Sequence, residues 1–256
     1  MLVTMGIILM ITSVRYTARG KRLPRWSRTI GVCALTATAA HLVICITLRW
    51  IVSGHVPMSN GFETMQAMAL ASAMLTLWLH SRHSNTLGPG VLVTGLTLMV
   101  SMLGESNPAI TPLMPVLHSP WLSIHVATIM IAYSLLALMA LNSIMALLSR
   151  NQPLVLERLH ILNMVMLYPA VALLAIGIFI GAVWANISWG TYWSWDPKEV
   201  WALITLIIYS LPLHSQSIRR FSRPMFFHVY IALAFVSVLV TYFGVNFFLG
   251  GMHSYA

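Results

Sequence analysis

The chain has 256 residues, of which 59% are hydrophobic and 7% charged, with a formal net charge of +9. A soluble globular domain carries about 25% charged residues, so this composition excludes one and describes a polytopic membrane protein. The positive charge falls in short stretches between apolar runs, where it marks membrane orientation and not a nucleic-acid surface.

A hydrocarbon core of about 30 Å needs about 20 apolar residues per helix. The sequence supplies about eight candidate spans, near residues 2–14, 30–52, 62–79, 87–103, 121–148, 161–185, 200–213 and 225–249. The expected fold is an all-α, polytopic integral membrane helical bundle of about eight transmembrane helices, in a single domain over residues 1–256. No internal repeat, low-complexity tract or linker divides it.

The first span is short, and its positive charge follows the apolar run, so it reads as retained rather than cleaved. Arg15, Arg19, Lys21, Arg22, Arg25 and Arg28 follow it, and the loops after spans three, five and seven carry Arg82, Arg150, Arg158, Arg219, Arg220 and Arg223. Cytoplasmic loops hold such residues, which places both termini outside and leaves Arg49 and Lys198 on the outer side. Cys33 and Cys45 share the second span without a C-x-x-C, and read as buried small apolar residues and not as a disulfide or metal site.

The segment 189–201 reads W-G-T-Y-W-S-W-D-P-K-E-V-W. An interfacial belt uses tryptophan singly, with the ring in the apolar phase and the indole N–H wet. Trp189, Trp193, Trp195 and Trp201 packed so densely suit a flat apolar shelf for a large planar ligand, with Asp196, Lys198 and Glu199 on its polar edge; a porphyrin has that shape. The competing reading is a short interfacial helix that only anchors the chain. Asp196 before Pro197, with Glu199 in the following turn, also reads as the N-terminal cap of the seventh span.

W-G-x-Y-W-x-W-D-P-K-E, followed by W-A-L-I-T and by Leu213–His214, closely resembles the tryptophan-rich haem-handling signature of the CcsA (ResC) family, the integral-membrane subunits of the System II cytochrome c synthase. W-L-S-I-H-V at 121–126 and G-G-M-H-S-Y at 250–255 resemble the family segments that carry two external haem-ligating histidines. The resemblance covers most of the chain from about Ser53 onward. It implies haem b as the transported substrate, and a CcsB (ResB)-type membrane subunit and an apocytochrome c with a C-x-x-C-H motif as partners. It also implies a bacterial inner (plasma) membrane or a thylakoid membrane as location, with the active site on the outer or lumenal face. The external segment 186–201 would handle the haem.

Haem iron takes neutral imidazole as an axial ligand, and an ionisable group within a membrane is a functional hypothesis by default. His125 and His253 fall at the outer ends of spans five and eight and are the expected external ligands, with Trp189, Trp193, Trp195, Asp196 and Trp201 around the ring. His118 is the local competitor of His125. His214 lies about fourteen residues, roughly 21 Å of helix, from the aromatic segment; the resemblance makes it one ligand of a second, transmembrane site completed by the companion subunit.

Of the remaining histidines, His55, with Glu63, could line the haem or substrate path, His41, in the middle of span two, must find a partner or face a cavity, and His228 could neighbour His214. His80, His83 and His160, among cytoplasmic arginines, read as solvated or as meeting lipid phosphate. No residue is assigned a catalytic step: thioether formation needs thiolates, which belong to the substrate, so the chain's share is positioning. The resulting expectation is haem delivery and presentation for covalent attachment, as part of a holocytochrome c synthase. The alternatives are a haem exporter or chaperone without synthase activity, or a b-type electron-transfer subunit.

Overall fold

The computed structural model describes residues 1–19, 21, 23–103, 109–110 and 115–245. Among them are eight α-helices and no strand: α1 (Leu2–Ala18), α2 (Arg25–Ser53), α3 (Gly61–His80), α4 (Leu87–Leu103), α5 (Pro120–Leu148), α6 (Pro153–Trp189), α7 (Pro197–Ser210) and α8 (Pro224–Leu239). Proline opens α5 to α8, where its missing N–H costs no helical hydrogen bond. α2, α5, α6 and α8 with its continuation are long and apolar enough to cross a membrane, and α1 and α4 are shorter apolar helices. The chain is an integral membrane helical protein.

Several boundaries differ from the expected spans. α6 begins at Pro153 and runs 37 residues to Trp189, about 55 Å, which is longer than a hydrocarbon core of about 30 Å. α7 stops at Ser210 and tightens into a 3-10 turn, Leu211–His214. α8 passes into a π-helical turn, Val240–Gly244.

α5 is the hub, packed against α3, α4, α6 and α8, with Leu136, Leu138 and Met139 fully buried. The short α1 lies on α4 through glycines that bring the backbones together: a Cβ on Gly6 would lie 2.6 Å from the Leu92 nitrogen, and one on Gly88 2.8 Å from that of Met10. α2 is peripheral and buries only Ser27, Gly31, Leu35 and Leu42. Cys33 is therefore exposed and Cys45 half-buried, contrary to the expected burial, because a lipid-facing surface satisfies an apolar side chain as well as a core does. His41 also faces outward, and the sulfur of Cys45, one turn on, lies 3.5 Å from its Nε2.

The far end of α5 holds a buried polar network. His228 Nε2 lies 3.2 Å from the Leu156 carbonyl, which can only accept, so Nδ1 accepts from the Ser143 hydroxyl at 3.2 Å. Ser143 Oγ in turn accepts from Asn163 Nδ2 at 2.8 Å. The ring beside His228 is His160, which also packs edge-on to Phe227, rather than His214. His80 is buried in the last turn of α3, so neither it nor His160 is simply solvated: both lie where their helices meet the bundle. His83 is exposed as expected.

Candidate functional site

A cavity of about 250 Å³ opens between the α2–α3 loop, α5, α6, the start of α7 and the π turn after α8. Its wall is mostly apolar, with Leu122, Val126, Ile129, Met130 and Ile178 from α5 and α6. Set into it are His125, Tyr133, Trp184, Tyr192, Trp193, Lys198, Glu199 and Tyr242. Among the described lining residues, Lys198 is the one lysine or arginine.

His125 is held by α6. Its Nδ1 lies 2.7 Å from the Gly177 carbonyl, and a carbonyl only accepts, so Nδ1 carries the proton and Nε2 the lone pair. That is the tautomer a metal ligand requires, with the orienting hydrogen bond that metal-binding histidines characteristically make. The ring fits because α6 is bare here: a Cβ on Gly181 would lie 2.7 Å from His125 Cε1, and one on Gly177 would lie 2.5 Å from Ile129 Cδ1, one turn along α5.

The aromatic segment is fixed by its ends. Gly190 closes α6 in the left-handed region at φ 79°. Asp196 caps α7, accepting from the Lys198 N–H at 2.9 Å, while the Glu199 carboxylate accepts from the N–H groups of Ser194 and Asp196 at 2.8 and 3.2 Å. This reciprocal capping box pins the residues on either side of Trp195, which sits at φ 60° and is 74% exposed. A non-glycine residue at positive φ marks a segment that its surroundings over-determine. Burial lowers the pKa of the Lys198 ammonium, and the nearby Asp196 carboxylate opposes that shift.

The indoles do not form one flat shelf. Trp184 meets Trp189 at 4.8 Å and 67°, and Trp193 meets Trp195 at 6.0 Å and 89°, the edge-to-face arrangement that ring quadrupoles favour. Of the four tryptophans in the segment only Trp193 lines the cavity. Trp201 is half-buried on α7, its carbonyl 3.3 Å from the Thr241 hydroxyl. Asp196 is buried and does its structural work as a cap, outside the lining.

On the opposite rim, Glu63 is 3% exposed and bonded to Arg49 at 2.7 Å. Its other oxygen accepts from the Ser59 N–H and hydroxyl, both at 2.8 Å. This carboxylate holds the α2–α3 loop, whose Met58 to Gly61 line the cavity, and does not itself line it. His55 sits on the same loop, its ring centroid 6.1 Å from that of His118.

The structure thus brings together His125, Trp193 and Lys198. His214 is exposed in the 3-10 turn after α7, apart from the cavity, and His253 lies outside the described residues. Sequence reasoning missed Gly177, Gly181, Tyr133 and Tyr242. Tyr242 reaches the cavity from the π turn and meets the Thr64 hydroxyl at 3.0 Å. No local motif marks these four, because each matters through a contact between helices distant in sequence.

Residues 58–253 match the model of the cytochrome C assembly protein family. The chain is 40% identical over 220 residues to protein NrfI of Wolinella succinogenes, a match covering 82% of this chain and 24% of that protein, so the chain spans about a quarter of that relative's length. It is 32% identical over 260 residues to the cytochrome c biogenesis protein CcsA of Guillardia theta, covering 88% of this chain and 85% of that one. Against CcsA of Prochlorococcus marinus strain MIT 9312 it is 31% identical over 263 residues, covering 88% and 84%. These matches and the shared signature establish that the chain belongs to the CcsA family of cytochrome c assembly proteins.

Proposed function

We propose that this chain acts in cytochrome c maturation by receiving haem b, its transported substrate, within the membrane and presenting it at the cavity for covalent attachment to an apocytochrome c. The observation that carries this reading is the placement of His125: a tautomer-fixed imidazole at a largely apolar wall that also holds the Trp193 indole and the Lys198 ammonium. His125 would supply one axial ligand, His253 the other, and Lys198 a counter-charge for a propionate. The described cavity of about 250 Å³ lies just below the about 300–1,000 Å³ of sites that enclose drug-sized ligands.

In the attachment, each substrate thiol adds across a vinyl double bond: the new C–S bond forms at one vinyl carbon, and the thiol hydrogen ends on the other. The thiols are the substrate's, since Cys33 and Cys45 lie on peripheral α2. The chain's share is orientation of the two reactants. On this reading it works with a CcsB (ResB)-type subunit, whose ligand pairs with His214 to hold haem before its transfer outward. It would sit in a bacterial inner membrane or a thylakoid membrane, with the cavity on the outer or lumenal side.

The test is maturation of a co-expressed apocytochrome c with the companion subunit present. His125→Ala should abolish holocytochrome formation, and added imidazole should partly restore it by taking the vacated coordination position. Undiminished maturation by His125→Ala would overturn the assignment.

A further inference from the structure

The wall that holds His125 also carries a pair of hydroxyls. Tyr242, from the π turn after α8, and Thr64, in the first turn of α3, both line the cavity, and their oxygens lie 3.0 Å apart. Each hydroxyl has one hydrogen to donate. Thr64 can send its own to the Gly61 carbonyl, at 3.1 Å, or to the Tyr242 oxygen. In the first arrangement Tyr242 donates to Thr64 and its hydrogen is spent. In the second Thr64 donates to Tyr242, and the phenol hydrogen is free for an acceptor in the cavity. A hydroxyl rotation converts one into the other and gives up only the longer contact with Gly61.

Tyr242 stands on a built support. π turns recur at functional sites, and this one is pinned through Thr241, the residue before Tyr242. The Thr241 hydroxyl donates to the Ser237 carbonyl at 2.7 Å, so the Thr205 hydroxyl, 3.0 Å away, donates to it. That bond ties the turn to α7, the helix that carries Lys198. Tyr133, buried in the same wall, spends its hydroxyl on Thr241, whereas the Tyr242 hydrogen can be redirected.

We propose that Tyr242, with Thr64 behind it, donates a hydrogen bond to a carboxylate of the cavity's ligand. The claim rests on the haem reading above, in which Lys198 meets one propionate; Tyr242 takes the other. A largely apolar wall gives a carboxylate few alternative partners, and a hydrogen bond to an ionised oxygen is about twice as strong as one between neutral groups. Until a carboxylate arrives, the hydrogen stays between Tyr242 and Thr64, so no donor is left unsatisfied in the wall. The pair therefore selects acidic porphyrins over their neutral esters, a choice that iron ligation by His125 does not make.

The experiment measures binding of metal-free protoporphyrin, as the diacid and as its dimethyl ester, to the purified full chain in detergent, by quenching of tryptophan fluorescence. Each variant is compared with wild type for the same ligand, so partition into detergent cancels. Tyr242→Phe should weaken the diacid about tenfold, the scale of one hydrogen bond to a charged group, and the ester about threefold or less. Thr64→Val keeps the phenol donor and should weaken the diacid by a clearly smaller factor than Tyr242→Phe does. Tyr242→Phe that binds the diacid like wild type, or that loses diacid and ester equally, would overturn the assignment. So would a Thr64→Val defect as large as that of Tyr242→Phe, which would make the pair a bridge between α3 and the π turn and nothing more. A parallel titration with haem keeps the two claims apart: His125→Ala should weaken haem far more than the metal-free diacid, which has no iron to ligate. Equal effects of His125→Ala on the two would sink the ligation reading, while the Tyr242 result stands or falls on the diacid and ester. A wild type that binds neither diacid nor haem would overturn both.

Discussion

The ring of His125 occupies the space that a side chain at position 181 would need: a Cβ there would lie 2.7 Å from Cε1 and 2.8 Å from Nδ1. Gly181→Ala should therefore push the imidazole off its seat and stretch the bond to the Gly177 carbonyl, with the helix otherwise favoured by alanine. Thermal stability should change little, while haem content falls by about tenfold, the scale of losing the partner that orients a ligating histidine. Haem content equal to wild type in a folded Gly181→Ala protein would show that this seat is not what positions the ring.

The capping box at α7 makes two opposed stability predictions. Glu199→Ala removes the acceptor for the Ser194 and Asp196 N–H groups and should cost about 1–2 kcal/mol, read as a lower midpoint of thermal unfolding in detergent. Trp195→Gly should cost nothing or stabilise slightly, because the ring is 74% exposed and glycine accepts φ 60° without strain. A large destabilisation by Trp195→Gly would mean that the indole is packed against something else.

Arg49 and Glu63 form an ion pair whose carboxylate is almost fully enclosed. Glu63→Leu alone takes the carboxylate away from a guanidinium that also donates to the Ala109 carbonyl at 3.2 Å, and should destabilise by about 3 kcal/mol, whereas Glu63→Leu with Arg49→Met should recover much of that loss.

Orientation rests on the arginine distribution and is open to direct labelling. A cysteine at Ser188 should react with an impermeant thiol reagent from the outer side in intact cells, and one at Ser81 or Ser222 should not. The reverse pattern would invert the placement of the cavity.

Much of this architecture is legible in the sequence, for identifiable reasons. Apolar runs long enough for a bilayer locate the helices because the bilayer imposes their length, and D-P-K-E locates the start of α7 because capping is local chemistry. The W-L-S-I-H-V context points to His125, which the structure sets in the cavity wall. What fails is what depends on tertiary contact. The expected flat shelf of indoles resolves into edge-to-face pairs, since segment composition does not fix ring orientation. His80 is buried despite its basic neighbours, and Cys33 is exposed despite its apolar ones, because burial depends on which helix face meets the bundle. Gly177 and Gly181 carry no local signal: their role is to be absent side chains opposite α5.

The most direct measurement is the absorption spectrum of purified protein, reduced and oxidised, for wild type and His125→Ala with and without imidazole. Wild type should show the sharp Soret and α bands of six-coordinate, bis-imidazole haem. His125→Ala should lose those bands or shift them to a five-coordinate form, and imidazole should bring them back. An unaltered six-coordinate spectrum in His125→Ala would contradict the claim that this histidine, seated on Gly177 and Gly181, is where the chain holds haem.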